Sequence, residues 1–163
     1  MIGQGAIQVT PLQIARAMSA VVDGGILRPL SIVKDQSLKY KGEETLTLQL
    51  PFSDQHLRAV KEGMFAVVNT KGGTAHRSAL PEESGILMAG KTATAQIKSS
   101  KLLKGEDSEN HAWFAGFAPY ENPEIVVVAI VEHGGHGGAT AAPVVKSVME
   151  EFFKINDEQQ KEN

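Results

Sequence analysis

Gly90-Lys91-Thr92-Ala93-Thr94-Ala95-Gln96 admits two incompatible local structures, and the choice between them decides the fold. The first is a phosphate loop. Gly85-Ile86-Leu87-Met88-Ala89-Gly90-Lys91-Thr92 satisfies G-x-x-x-x-G-K-[ST], and an apolar run ending in Glu132 would supply the acidic strand end of such a site. A phosphate loop follows a buried strand, and its threonine opens a helix whose N-terminus faces the anion. Here Leu80 to Ser84 is a mostly polar run containing Pro81, the supposed loop Ile86-Leu87-Met88-Ala89 is apolar, and Thr94-Ala95-Gln96-Ile97-Lys98 reads as a strand. The alternative is a strand that carries Lys91, Thr92 and Ala93 along the edge of a site, and it fits the flanks better.

Working outward, the stretch belongs to a β-rich block. Residues 86–98 and 112–118 flank a charged segment at 101–110, and 124–132 (EIVVVAIVE) reads as a strand apolar on both faces. The turn Tyr120-Glu121-Asn122-Pro123 predicts a hairpin between the last two strands. Helices are expected on both sides of this block. Thr10-Pro11-Leu12-Gln13 carries a cap, a proline suited to the first helical position and a capping-box glutamine. Leu12, Ala15, Met18 and Val22 then share a face, and Gly24-Gly25 ends the run. Ser53 caps a second helix with the stripe Leu57, Val60, Met64, Val67 and Val68, which residues 69–73 stop. A last helix buries Val145, Val148, Met149, Phe152 and Phe153. Residues 26–34 and the alternating 45–50 predict two further strands, the first at an edge because of Pro29. The expectation is an α+β fold, an antiparallel β-sheet flanked by helices. It forms one domain unit over 1–156, with a disordered polar tail at 157–163.

Bulk properties exclude several function classes. The chain of 163 residues is 42% hydrophobic and 21% charged, as a globular domain is. Its formal charge of −3 argues against nucleic acid as a partner. With no cysteine it has neither disulfides, thiolate metal sites nor a thiol nucleophile. No apolar run approaches the roughly 20 residues of a spanning helix. Met1-Ile2-Gly3-Gln4-Gly5 shows no signal-peptide pattern, so no targeting segment is expected within these residues. His133 and His136 have metal-ligand spacing but no clear third ligand, so no metal is expected, and neither is a cofactor. The glycines around them (134, 135, 137 and 138) are read as a turn into the last helix. His111 and Trp113 are read as strand-end and packing residues.

Lys91-Thr92-Ala93 resembles the K-T-G motif of serine penicillin-binding proteins and β-lactamases. The likeness extends along the chain in family order. Ile2-Gly3-Gln4-Gly5 through Thr10-Pro11-Leu12-Gln13, then Gly24-Gly25 with Arg28-Pro29, are similar to segments of class B penicillin-binding proteins. So are Val60-Lys61-Glu62-Gly63-Met64 and Gly73-Thr74-Ala75, and so is the run from His111 to Pro119. His133-Gly134-Gly135-His136-Gly137-Gly138 with Ala141-Ala142-Pro143 takes the form of the penicillin-binding protein 2 type. The chain is identified as the C-terminal part of such a transpeptidase domain.

The resemblance implies a parent that cross-links peptidoglycan stem peptides through a serine acyl-enzyme and binds β-lactams. It implies that Lys91 and Thr92 bind the substrate carboxylate, that Ala93 lines the cleft, and that Thr94 offers a backbone N–H to the oxyanion hole. The parent is expected in the bacterial cytoplasmic membrane with this domain facing outward, partnered by a membrane glycosyltransferase of the elongation machinery. The family nucleophile, in S-x-x-K, and its S-x-N motif precede the first matched segment and are absent here. Ser31-Ile32-Val33-Lys34 spells S-x-x-K, but in an extended stretch where positions one and four face apart. Ser108-Glu109-Asn110 spells S-x-N, but after the K-T-G-like motif and in a charged loop. The chain is therefore expected to be a truncation, Met1 an artificial or secondary start, inert alone and prone to self-association. Ala93 replaces the family glycine, which a strand with negative φ tolerates. The other classes considered are the phosphate-loop nucleotide protein and a non-catalytic β-lactam sensor or interaction module.

Overall fold

The computed structural model describes residues 7–32, 47–96 and 110–161. The elements run α1 Pro11–Val22, β1 Ile26–Leu27, β2 Leu48–Gln49, α2 Asp54–Asn69, β3 Ala89–Ala95, β4 His111–Ala118, β5 Ile125–Val131 and α3 Ala141–Lys161. Two short 3-10 turns, His76–Ser78 and Glu82–Ser84, connect α2 to β3. The fold is α+β, as the sequence predicts.

β3, β4 and β5 form one antiparallel sheet in chain order. Opposed residues share a face, and faces alternate along each strand. One face carries Gly90, Thr92 and Thr94 of β3 with Ala112, Phe114 and Gly116 of β4. It packs on α3 through Phe114, Ala142, Val145 and Met149, all fully buried. The other face carries Ala89, Lys91 and Ala93 with Trp113, Ala115 and Phe117, and meets Met18 of α1 and Met64 and Phe65 of α2. Because helices cover both faces, β5 is apolar at every position, and six of its seven residues are half-buried. Tyr120, just past the cis Ala118–Pro119 bond, packs on Phe65 and Phe117. Its phenol is held above the usual tyrosine range by burial first, then by the charges of Glu62 and Glu121.

The helix starts follow the sequence chemistry. At α1 the Gln13 N–H donates to Thr10 Oγ1 at 3.2 Å and the Thr10 N–H donates to Gln13 Oε1 at 2.8 Å, closing the capping box. At α2 the His56 N–H donates to Ser53 Oγ at 3.3 Å. Gly24 and Gly25, at φ 65° and 85°, turn the chain out of α1.

Several expectations shift. Leu12 and Val60 are exposed at 57% and 45%, so the buried stripes begin later in α1 and are narrower in α2. In α3, Val148 is 45% exposed because it lies beside the 141-145-149 row that faces the sheet. Asn69 does not stop α2 but closes it, donating through Nδ2 to Phe65 O at 3.0 Å and to Met88 O at 2.8 Å. α3 runs through Lys161, past the boundary expected at residue 156. Glutamate, glutamine and lysine are good helix formers, which lets a polar segment continue a helix already anchored by its core face. The strands expected at 26–34 and 45–50 shrink to a two-residue pair, Ile26 against Gln49 and Leu27 against Leu48. Pro29 cannot donate to a ladder, and Leu48 and Gln49 are exposed, so alternation there does not report a half-buried strand. Residues 33–34 and 45–46 lie outside the described residues. Among the described residues no helix is long and apolar enough to cross a membrane.

Candidate functional site

β3 decides between strand and phosphate loop. Gly90, Lys91 and Thr92 sit in the ladder opposite Gly116, Ala115 and Phe114, and no helix opens at Thr92. The phosphate-loop reading is therefore wrong. The glycine that completed its pattern serves packing instead. A Cβ at Gly90 would lie 2.4 Å from Phe114 Cζ, and one at Gly116 2.9 Å from Phe114 Cε1, so the ring lies across this glycine pair.

The strand pleat separates Lys91 from its two threonines. Lys91 projects on the α1/α2 face, is exposed and forms no ion pair among the described residues; its ammonium donates to the Thr92 carbonyl. Thr92 projects on the opposite face, half-buried, with its Oγ1 2.8 Å from Oγ1 of Thr74. Thr94 shares that face, opposite Ala112. Ala93 is exposed and has no positive φ, since His133 is the one non-glycine described residue in the left-handed region. The strand accepts alanine there, and its methyl projects on the Trp113 face.

Two supports of this strand were not legible from spacing. Thr74 is placed by the chain leaving α2, where the Ala75 N–H donates to Val67 O at 3.0 Å. Gly137 and Gly138, just before α3, then pass over the sheet at very close range. A Cβ at Gly137 would lie 2.1 Å from Trp113 O and 2.6 Å from Ala93 O; one at Gly138 would lie 1.9 Å from Thr74 O. Ala93 and Trp113 oppose each other with both side chains turned to the far face, which leaves room for a glycine backbone above them. The glycine run and Thr74 were visible as matched segments, but their meeting at Thr92 and Ala93 is a tertiary fact.

His133 does not pair with His136, which is exposed elsewhere in the turn. It pairs with His111, rings edge-on with centroids 5.0 Å apart. Among the described residues no group of three or more His, Cys, Asp or Glu is arranged to hold a metal. Ser31 and Ile32, the first half of the S-x-x-K string, lie outside any helix, while Val33 and Lys34 are outside the described residues. Of the S-x-N string only Asn110 is described, and its carbonyl accepts from the Gly135 N–H at 2.8 Å.

Residues 1–150 match the family described as the penicillin binding protein transpeptidase domain. The chain belongs to that family. The peptidoglycan D,D-transpeptidase MrdA of Haemophilus influenzae is 34% identical to it, covering 93% of this chain and 25% of that protein. The solved structure of Pseudomonas aeruginosa PBP2 in complex with WCK 5153 superposes with a TM-score of 0.72 at 35% identity, over 93% of this chain and 31% of that one. Penicillin-binding protein A of M. tuberculosis, solved as an imipenem acyl-enzyme complex, gives 0.65 at 29% identity, over 91% of this chain and 32% of that one. The chain thus spans about a quarter to a third of the length of these relatives. These matches identify it as part of a transpeptidase domain of the penicillin-binding protein 2 type, and nothing in them favours a nucleotide-binding protein or a sensor module.

Proposed function

We propose that this chain supplies the carboxylate-binding wall of a serine D,D-transpeptidase, and that it is inert without the rest of that protein. The observation that carries the reading is β3 itself. Among the described residues it is the outermost strand of its sheet, with Lys91 on one face and Thr92 and Thr94 on the other. A peptide or opened β-lactam lying along that outer edge meets the ammonium from one side and the hydroxyls from the other. Charge-assisted hydrogen bonds of this kind are stronger than neutral ones and fix orientation. The serine of the missing part would attack the penultimate D-Ala carbonyl, forming an ester as the terminal D-Ala leaves. The Thr94 N–H would stabilise the oxyanion. An amine of a second stem peptide would then take the acyl group and free the serine.

The resemblance to the penicillin-binding protein 2 type supports placing the parent in the cytoplasmic membrane with this domain outward, where peptidoglycan lies. It also supports a membrane glycosyltransferase as partner. Among the described residues no strand pairs with the outer edges of β3 and β5, which supports self-association of the chain alone.

The test is acylation of the longer parent by a fluorescent penicillin. Lys91→Ala is expected to slow the second-order rate by about 100-fold or more, the scale for removing a group that stabilises transition-state charge. Ala93→Gly is expected to change it only a few-fold, because the backbone at Ala93 is unstrained. An unchanged rate in Lys91→Ala would sink the assignment, and a many-fold gain in Ala93→Gly would show that the alanine cripples the site.

A further inference from the structure

His111 opens β4 opposite Ala95, at the end of β3 nearest Thr94. Across from it, His133 leaves β5 with φ +52°, a left-handed conformation that residues with a side chain rarely adopt. Something must hold it there. The backbone N–H of His133 donates to Nδ1 of His111 at 3.0 Å. The His133 ring adds no hydrogen bond through its own Nδ1, which is buried and has no partner among the described residues. The turn is held further by the Gly134 N–H donating to Val131 O at 3.2 Å, by Thr140 Oγ1 donating to Gly134 O at 2.9 Å, and by the Gly135 N–H donating to Asn110 O at 2.8 Å. Of these holds the one from His111 is the only one made directly at the strained residue, and from there the chain runs into Gly137 and Gly138, which press on Ala93, Trp113 and Thr74.

We propose that His111 is a positioning residue for the transpeptidase site. Its imidazole accepts the His133 N–H, fixes the left-handed turn, and so sets how closely the Gly137-Gly138 bridge backs Thr92 and Ala93. The inference rests on the reading of β3 as the substrate wall. Acceptance at Nδ1 requires a lone pair there, which places any proton of a neutral ring on Nε2. Small displacements of a binding strand are costly, since misplacement of a reacting group by about 1 Å can lower a rate by about 100-fold.

The test uses the parent protein with His111→Phe, which keeps ring bulk but has no acceptor, and His111→Asn, whose amide oxygen restores an acceptor near Nδ1. Amide exchange of the peptide spanning 133–138 and the fluorescent-penicillin acylation rate are read on both, with Lys91→Ala assayed alongside. His111→Phe is expected to speed exchange and slow acylation by about 10-fold each, the scale of one lost hydrogen bond. His111→Asn is expected to recover both to within about 3-fold, because it restores that bond. The proposal is overturned if asparagine behaves like phenylalanine, or if phenylalanine leaves either readout unchanged while Lys91→Ala abolishes acylation. If Lys91→Ala leaves acylation intact, the substrate-wall reading falls and this proposal falls with it.

Discussion

Gly137→Ala is expected to lower the unfolding free energy by about 3 kcal/mol or more, the upper range for forcing atoms into a packed site. The new methyl would sit 2.1 Å from Trp113 O and 2.6 Å from Ala93 O. Both are backbone atoms of the β3–β4 ladder, so neither can rotate away as a side-chain end would. Relief requires α3 to lift from the sheet or β3 and β4 to bend, and either move uncovers Val145 and Met149. Domains of this size are stable by about 5–15 kcal/mol, so the loss is a large share of the total. Gly63→Ala provides the contrast: it lies in α2 with nothing within 4 Å of its added methyl. There alanine is expected to stabilise by about 0.5–1 kcal/mol through helix propensity. Urea unfolding of the two variants beside the unsubstituted chain checks both signs.

Phe114→Ala is expected to cost about 3–5 kcal/mol, as for other buried aromatic truncations. The ring is fully buried, packed with α3 on one side and spread across Gly90 and Gly116 on the other. Those glycines have no side chains to fall into the space, so the cavity persists and the transfer and cavity costs add. Because Gly90 precedes Lys91 directly, the loss is expected to reach the site as well as the core. Phe114→Leu refills part of the volume and is expected to recover roughly half of the stability, judged from the same series of large-to-small changes. Equal unfolding midpoints for the alanine variant and the unsubstituted chain would show that the ring does not carry this contact.

Much of the framework was legible because it is written in local chemistry. Thr10, Pro11 and Gln13 announce a helix start whatever surrounds them. The run from Glu124 to Glu132 announces a strand covered on both faces. Lys91-Thr92-Ala93 announced a strand because a strand and a phosphate loop demand different flanks. What stayed hidden depends on tertiary approach. Gly90 looks the same whether it cradles a phosphate or an aromatic ring, and only Phe114 decides. Thr74 and Thr92 are 18 residues apart, and no periodicity joins them. His133 and His136 share a spacing that suggests a pair, yet the partner of His133 arrives from the start of β4. The split of Lys91 from Thr92 across the pleat follows from strand geometry, but which face receives α3 is set by packing.

The most direct measurement is covalent labelling of the 163-residue chain itself by a fluorescent penicillin, beside the longer parent. The parent is expected to take up one stable label through an ester on its serine. The chain is expected to take up none, because on the proposed reading it supplies the carboxylate-binding wall and not the group that attacks the carbonyl. Stable, stoichiometric labelling of the chain would contradict the account, and mapping the label to Ser31 would show which residue had been misjudged.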